Sequence, residues 1–136
     1  MLDHLTLPAE MRDEIVAHAR ESAPRECCGV IVGLSGQPGE LRRMTNTYEG
    51  IDFYEVDGRE LLSLMKELDE KGWDFTAIYH SHPVSPAYPS PRDVEYAGYP
   101  DTAYIICSLE NPDAPVVRAF AIVDAQITEL PIHPTA

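Results

Sequence analysis

The stretch WDFTAIYHSHPVSPAYPSPRDVEYAG, residues 73–98, carries the reading of the fold. Its opening is apolar through Ile78, which predicts a strand running to His82. Residues two apart on a strand project from one face, so His80 and His82 point at one site and Ser81 points away. A proline-broken loop follows over residues 83–89, stiffened by the fixed φ of proline. SPRD then reads as a helix start, with Ser90 as N-cap, Pro91 at the first helical position and Asp93 at the third. This short helix is expected to end at Gly98.

Working outward, residues 5–7 read as a short edge strand, and Pro8 suits the first turn of a helix. Met11, Ile15 and Ala19 recur four apart, with Val16 beside them, and give that helix an apolar stripe ending at residues 22–25. CCGVIVGL, residues 27–34, is a buried strand, SGQPGE is turn material, and LRRMTNT is a second strand. Asp57 caps a helix whose stripe is Leu61, Leu64, Met65 and Leu68, closed by Gly72. Beyond the opening stretch come the strands TAYIICSL, VVRAFAIVD and ITELPI, joined by the turns NPDAP and AQ. The fold class is α/β of the α+β type: a mixed, largely antiparallel sheet packed against helices.

The 136 residues suit one domain spanning 1–136, with 44% hydrophobic residues to form a core. A formal net charge of −13 opposes phosphate backbones and anionic lipid surfaces, so neither nucleic acid nor a membrane is an expected partner. The acidity serves solubility or meets a basic partner. Three cysteines, two adjacent and none in C-x-x-C, fit a reducing compartment, and the N-terminus lacks the charge and apolar run of a signal peptide. No apolar run reaches membrane length. A cytoplasmic protein is expected, and a homodimer is compatible with the sequence without being required by it.

Two histidines and a carboxylate make a catalytic zinc set with the fourth position left for water. The plainer reading is a capping box, which accounts for Ser90 and Asp93 without metal. A lone pair of Asp93 given to a cap is not available to a metal, so the two readings compete at that atom.

The string H-x-H-x7-S-x-x-D, at His80, His82, Ser90 and Asp93, resembles the signature of the JAMM metalloproteases, or MPN-plus domains. PRECCGVIVG places Glu26 where those proteins carry a glutamate, after the first helix and at the start of a strand. MTNT, FYEVDGREL, IYHSHP, AYPSPRDVEYA and FAIVDAQITE resemble stretches of the small bacterial Mec-type branch, which releases cysteine from the C-terminal glycine of the carrier CysO. The resemblance implies a cytidine-deaminase-like JAMM/MPN fold and a zinc peptidase or isopeptidase. Its partner would be a ubiquitin-like sulfur carrier (CysO- or ThiS-like), bound by a C-terminal Gly-Gly tail, and its setting cysteine biosynthesis. It implies that His80, His82 and Asp93 hold Zn2+. Glu26 would take a proton from the activated water and pass it to the leaving amine, and Ser90 would donate to the oxyanion. No other cofactor is implied.

Other assignments stay open. Glu26 is either that base or an ordinary surface acid, and Ser90 is either donor or cap. Tyr48, Phe53 and Tyr54 line a groove or cover the sheet edge. Cys28 and Cys107 are expected in the core, Trp73 between helix and sheet, and His4, His18 and His133 in solvent. Another carrier-processing or deconjugating role would use the same chemistry. A non-catalytic MPN-minus module usually lacks ligands that are all present here. A RadC-like protein shares the histidine string but usually has an additional N-terminal helical region. A zinc deaminase needs H-x-E and P-C-x-x-C, and neither is found.

Overall fold

The computed structural model describes residues 2–135. Its centre is a six-stranded sheet in the order β3-β2-β4-β5-β6-β7, built from Glu40–Met44, Cys28–Gly33, Asp74–His82, Ala103–Ser108, Val116–Val123 and Gln126–Leu130. Only β4 and β5 run parallel; every other neighbouring pair is antiparallel. A parallel pair needs a crossover, and here residues 83–102 supply it, including helix α3 (Pro91–Glu95). The loop and short helix of the opening stretch are therefore the crossover that carries the chain from β4 to β5. A small parallel pair, β1 (Leu5–Thr6) with β8 (Ile132–His133), ties the chain ends together.

Side-chain alternation on β4 divides the core. Ala77 and Tyr79 pack beneath α1 (Ala9–Ser22) with Ile15, Val16 and Ala19. Ile78 faces the opposite layer, where α2 (Gly58–Lys71) buries Leu64 and Leu68 against Val30 and Val32. Each such leucine contributes about 1.5–3 kcal/mol by leaving water. The stripe is narrower than expected, because Met65 is 38% exposed. Asp57 accepts the Glu60 N–H and Gly72 closes α2 in the left-handed region, as the sequence predicts.

Four local readings shift. The stretch ITELPI, read as one strand, divides at Pro131 into β7 in the large sheet and β8 beside β1. Pro8 stands at the cap position of α1, its carbonyl accepting from Met11 and Arg12, and the helix begins at Ala9. Helix α3 stops at Glu95, short of Gly98, because Tyr96 leaves the helical path. His18 is not a solvent-facing residue: its Nδ1 lies 2.7 Å from the Tyr79 hydroxyl in a half-buried pair. That pair depends on Gly29, whose Cβ, if it had one, would stand 2.2 Å from the Tyr79 ring. His4 and His133 are exposed and stacked on each other, Trp73 packs against the α2 cluster, and all three cysteines are buried.

Candidate metal centre

His80 and His82 lie on the last residues of β4, on the face opposite Tyr79, and are 2% and 4% exposed. Their Nε2 atoms stand 3.1 Å apart. Asp93 Oδ2, arriving from α3, is 3.2 Å from His80 Nε2 and 3.1 Å from His82 Nε2. Three donor atoms thus form a nearly equilateral triangle. A tetrahedral ion bonded at about 2.0–2.2 Å needs donors roughly 3.3–3.5 Å apart, so the residues fit a small divalent metal with only slight expansion.

The ligand ends are aimed by their surroundings. His82 Nδ1 donates to the Pro86 carbonyl at 2.8 Å, which leaves Nε2 as the free lone pair. The crossover loop is pinned in turn by Ser108, whose hydroxyl donates to the Ser85 carbonyl at 2.6 Å. His80 has no such bond, and its buried Nδ1 has no partner among the described residues. Its ring is held by stacking on Tyr54, with centroids 4.7 Å apart.

Ser90 and Asp93 form the full capping box: Ser90 N–H donates to Asp93 Oδ2 at 2.9 Å, and Asp93 N–H donates to Ser90 Oγ at 3.1 Å. The oxygen that takes the cap bond is the one at the centre of the histidine contacts. A carboxylate oxygen has two lone pairs, so one can serve the cap and the other a cation. The competition expected from sequence is removed by that geometry. Ser90 also accepts through a lone pair, which leaves its hydroxyl proton free to donate.

Glu26, just before β2, is 6% exposed, and its Oε1 has no hydrogen-bond partner among the described residues. One potential ligand atom from each of Glu26, His80 and His82 lies within 4.8 Å of the others. Burial pushes the Glu26 carboxyl up to about 7; Asp93 and Asp52 add to the rise, while His82 and Arg92 oppose it. Burial also lowers His80. For Asp93 burial acts upward, but in the metal-free protein a proton carried at the histidine Nε2 atoms, in place of the lone pairs a metal would take, overcomes it and holds the carboxyl well below the usual range. A buried carboxylate with an orphaned oxygen, beside three convergent donors, is an arrangement that a cation and its water would complete.

Asn46 lies in the MTNT stretch, which gave it no role, yet its amide holds this edge together. Nδ2 donates to the Glu26 carbonyl at 2.9 Å, and Oδ1 accepts from Tyr48 N–H at 2.9 Å and Glu55 N–H at 3.0 Å. The 46–56 segment therefore closes over the site, with an isolated bridge between Asn46 and Val56. Tyr48, Phe53 and Tyr54, left open by sequence, form one aromatic wall: Phe53 sits 5.9 Å from Tyr48 and 5.3 Å from Tyr54. Ser81 points away and accepts the Cys27 N–H at 2.8 Å, a structural role. The Cys28 thiol is pushed up to about 12 by burial, as expected of a core residue. Among the described residues, no helix is long and apolar enough to cross a membrane.

Residues 8–123 match the family described as prokaryotic homologs of the JAB domain. The CysO-cysteine peptidase of Mycobacterium tuberculosis is 36% identical over 131 residues, covering 95% of this chain and 90% of that protein. A desampylase of Haloferax volcanii is 38% identical over 115 residues, covering 76% of this chain and 80% of its own. A Thermus thermophilus relative named "Probable TtuB-protein conjugate cleaving protease" is 33% identical, covering 90% of this chain and 78% of its own. The solution structure of a Desulfitobacterium hafniense protein superposes with a TM-score of 0.81 at 32% identity, covering 95% of this chain and 91% of that one. A JAB1/MPN domain protein from Archaeoglobus fulgidus shares the fold, with a TM-score of 0.61 at 16% identity, covering 96% of this chain and 98% of that one.

Proposed function

The chain belongs to the prokaryotic homologues of the JAB domain and is a peptidase of that family; on that premise we propose that it is a cytoplasmic zinc enzyme that hydrolyses the bond to the C-terminal glycine of a ubiquitin-like sulfur carrier, releasing cysteine. The observation that carries the reading is the orphaned Glu26 Oε1 beside the tight triangle of His80, His82 and Asp93.

His80, His82 and Asp93 would hold the metal. Bound zinc polarises a carbonyl and brings the pKa of water to about 7. Glu26 Oε1 accepts the proton of the attacking water and returns it to the leaving amine. Its upward displacement suits both halves of that task, since a carboxylate poised near neutrality accepts and releases a proton readily. The Ser90 hydroxyl donates to the oxyanion while its lone pair continues to cap α3. An extended Gly-Gly tail, whose lack of side chains suits close approach to the donors, binds by main-chain hydrogen bonds.

The test is incubation of the zinc-loaded protein with a carrier–cysteine adduct, following the carrier's mass. Release of cysteine with an intact Gly-Gly terminus supports the reading. An adduct that remains whole in the presence of bound zinc contradicts it.

A further inference from the structure

Arg92 stands immediately before Asp93 and forms no ion pair among the described residues. The ion pairs of arginine among the described residues use Arg42, Arg43 and Arg118. Arg92 joins none of them; its Nη1 donates instead to the Tyr48 hydroxyl at 3.2 Å. Its guanidinium lies 4.2 Å from the centre of the Phe53 ring and 5.1 Å from that of Tyr48. A guanidinium packed against the Phe53 ring and tied to the Tyr48 hydroxyl is restrained in orientation, and its remaining N–H groups form a fork suited to a carboxylate.

The fork is also close to the chemistry. Phe53, beneath Arg92, is followed in sequence by Tyr54, which stacks on His80. The Arg92 charge acts on Glu26, and Asp52 acts on Arg92 without coming within ion-pair distance. In a chain of net charge −13, a cation next in sequence to Asp93, and in no ion pair among the described residues, favours an anionic group on the substrate.

We propose that Arg92 binds the free α-carboxylate of the residue released by hydrolysis, making the site selective for removal of a single C-terminal amino acid over cleavage of an isopeptide bond to lysine. This rests on the reading of the protein as a carrier-tail peptidase. The leaving amine, which takes its proton from Glu26, shares its Cα with that carboxylate. Recognition of the anion by the residue adjoining Asp93 therefore places the scissile amide at the donors. A lysine side-chain amine has no carboxylate at that carbon and gains nothing from the fork.

The experiment compares two adducts of one carrier, one ending in cysteine and the other in cysteine carboxamide, with the zinc-loaded protein. The expected preference for the free carboxylate is about 10- to 100-fold in kcat/KM, the worth of a charge-assisted fork. Arg92→Gln should bring the ratio close to one whatever it does to the absolute rates, and Arg92→Lys should restore part of it. A second readout is affinity: titrated into the Glu26→Gln protein, the carboxylate adduct should bind more tightly than the carboxamide, and that difference should vanish when Arg92→Gln is added. Equal cleavage of both adducts by the unaltered protein, or a preference that survives Arg92→Gln, overturns the assignment while leaving the peptidase reading in place. Cleavage of neither adduct overturns both.

Discussion

Ser90 and Asp93 bind each other twice, and Asp93 Oδ2 is common to the cap and to the histidine triangle. The helix cap thus aims the carboxylate. Ser90→Ala removes both the cap oxygen and the hydroxyl proton, and should cost about 1 kcal/mol of stability. It should also lower kcat by about 10²–10³, the loss seen when an oxyanion donor is removed. Ser90→Gly separates the effects, since glycine caps nearly as well. Denaturant melts and turnover of the pair decide it: a rate loss shared by both variants marks the hydroxyl as catalytic, and a normal rate in the glycine variant leaves only the cap.

Glu26 makes the metal-free protein sensitive to pH. Its carboxyl is raised from 4.5 to about 7 on folding, so between those values the folded state holds a proton that the unfolded state has released. Stability therefore falls as pH rises through that window and levels off above it. Glu26→Gln lacks this loss. Above neutral pH the metal-free variant should exceed the parent by about 1–2 kcal/mol, less than the full shift implies because the site relaxes and admits water around the ionised form, while near pH 4 the two should agree. Urea unfolding at the two pH values measures the difference, and parallel pH curves would show that Glu26 is not displaced.

Asn46 holds the segment that covers the site. Replacing it with alanine breaks three hydrogen bonds, including the one to the Glu26 carbonyl, and should cost about 2 kcal/mol. KM should rise more than kcat falls, because the aromatic wall loosens while the donors on β4 and α3 stay in place. Chemical denaturation and steady-state kinetics test this; unchanged KM would mean that the 46–56 segment does not contact substrate.

Gly29 serves the fold on the face away from the site. Its missing Cβ gives the Tyr79 ring its place, and Tyr79 in turn meets His18. Gly29→Ala should cost about 2–3 kcal/mol by overpacking. A companion change of Tyr79 to Phe would not relieve the clash, since ring carbons stand as close as the hydroxyl, whereas Tyr79→Leu should recover part of the loss. Thermal melts of the single and double variants give the coupling, and additive losses would contradict the contact.

The order of strands and helices was legible because each element carries a local signal: alternation in β4, a four-residue stripe in α1, and Asp57 and Gly72 around α2. His80 and His82 were legible for the same reason, a period of two on a strand. What escaped is long-range and aperiodic. Asn46 meets Glu26 across 20 residues and His18 meets Tyr79 across 61. Arg92 carries no signal of its own in the sequence, and only folding brings it against Phe53 and Tyr48. The sharing of Asp93 Oδ2 between cap and site needed atomic positions, because sequence treats the two uses as rivals.

The central claim is that Glu26 moves the proton while His80, His82 and Asp93 hold the metal. It is tested most directly by measuring cysteine release from a carrier–cysteine adduct by zinc-loaded parent and Glu26→Gln proteins of equal zinc content. The account predicts release by the parent and a loss of at least about 10²-fold in the variant, with zinc retained. Undiminished release by Glu26→Gln would contradict it.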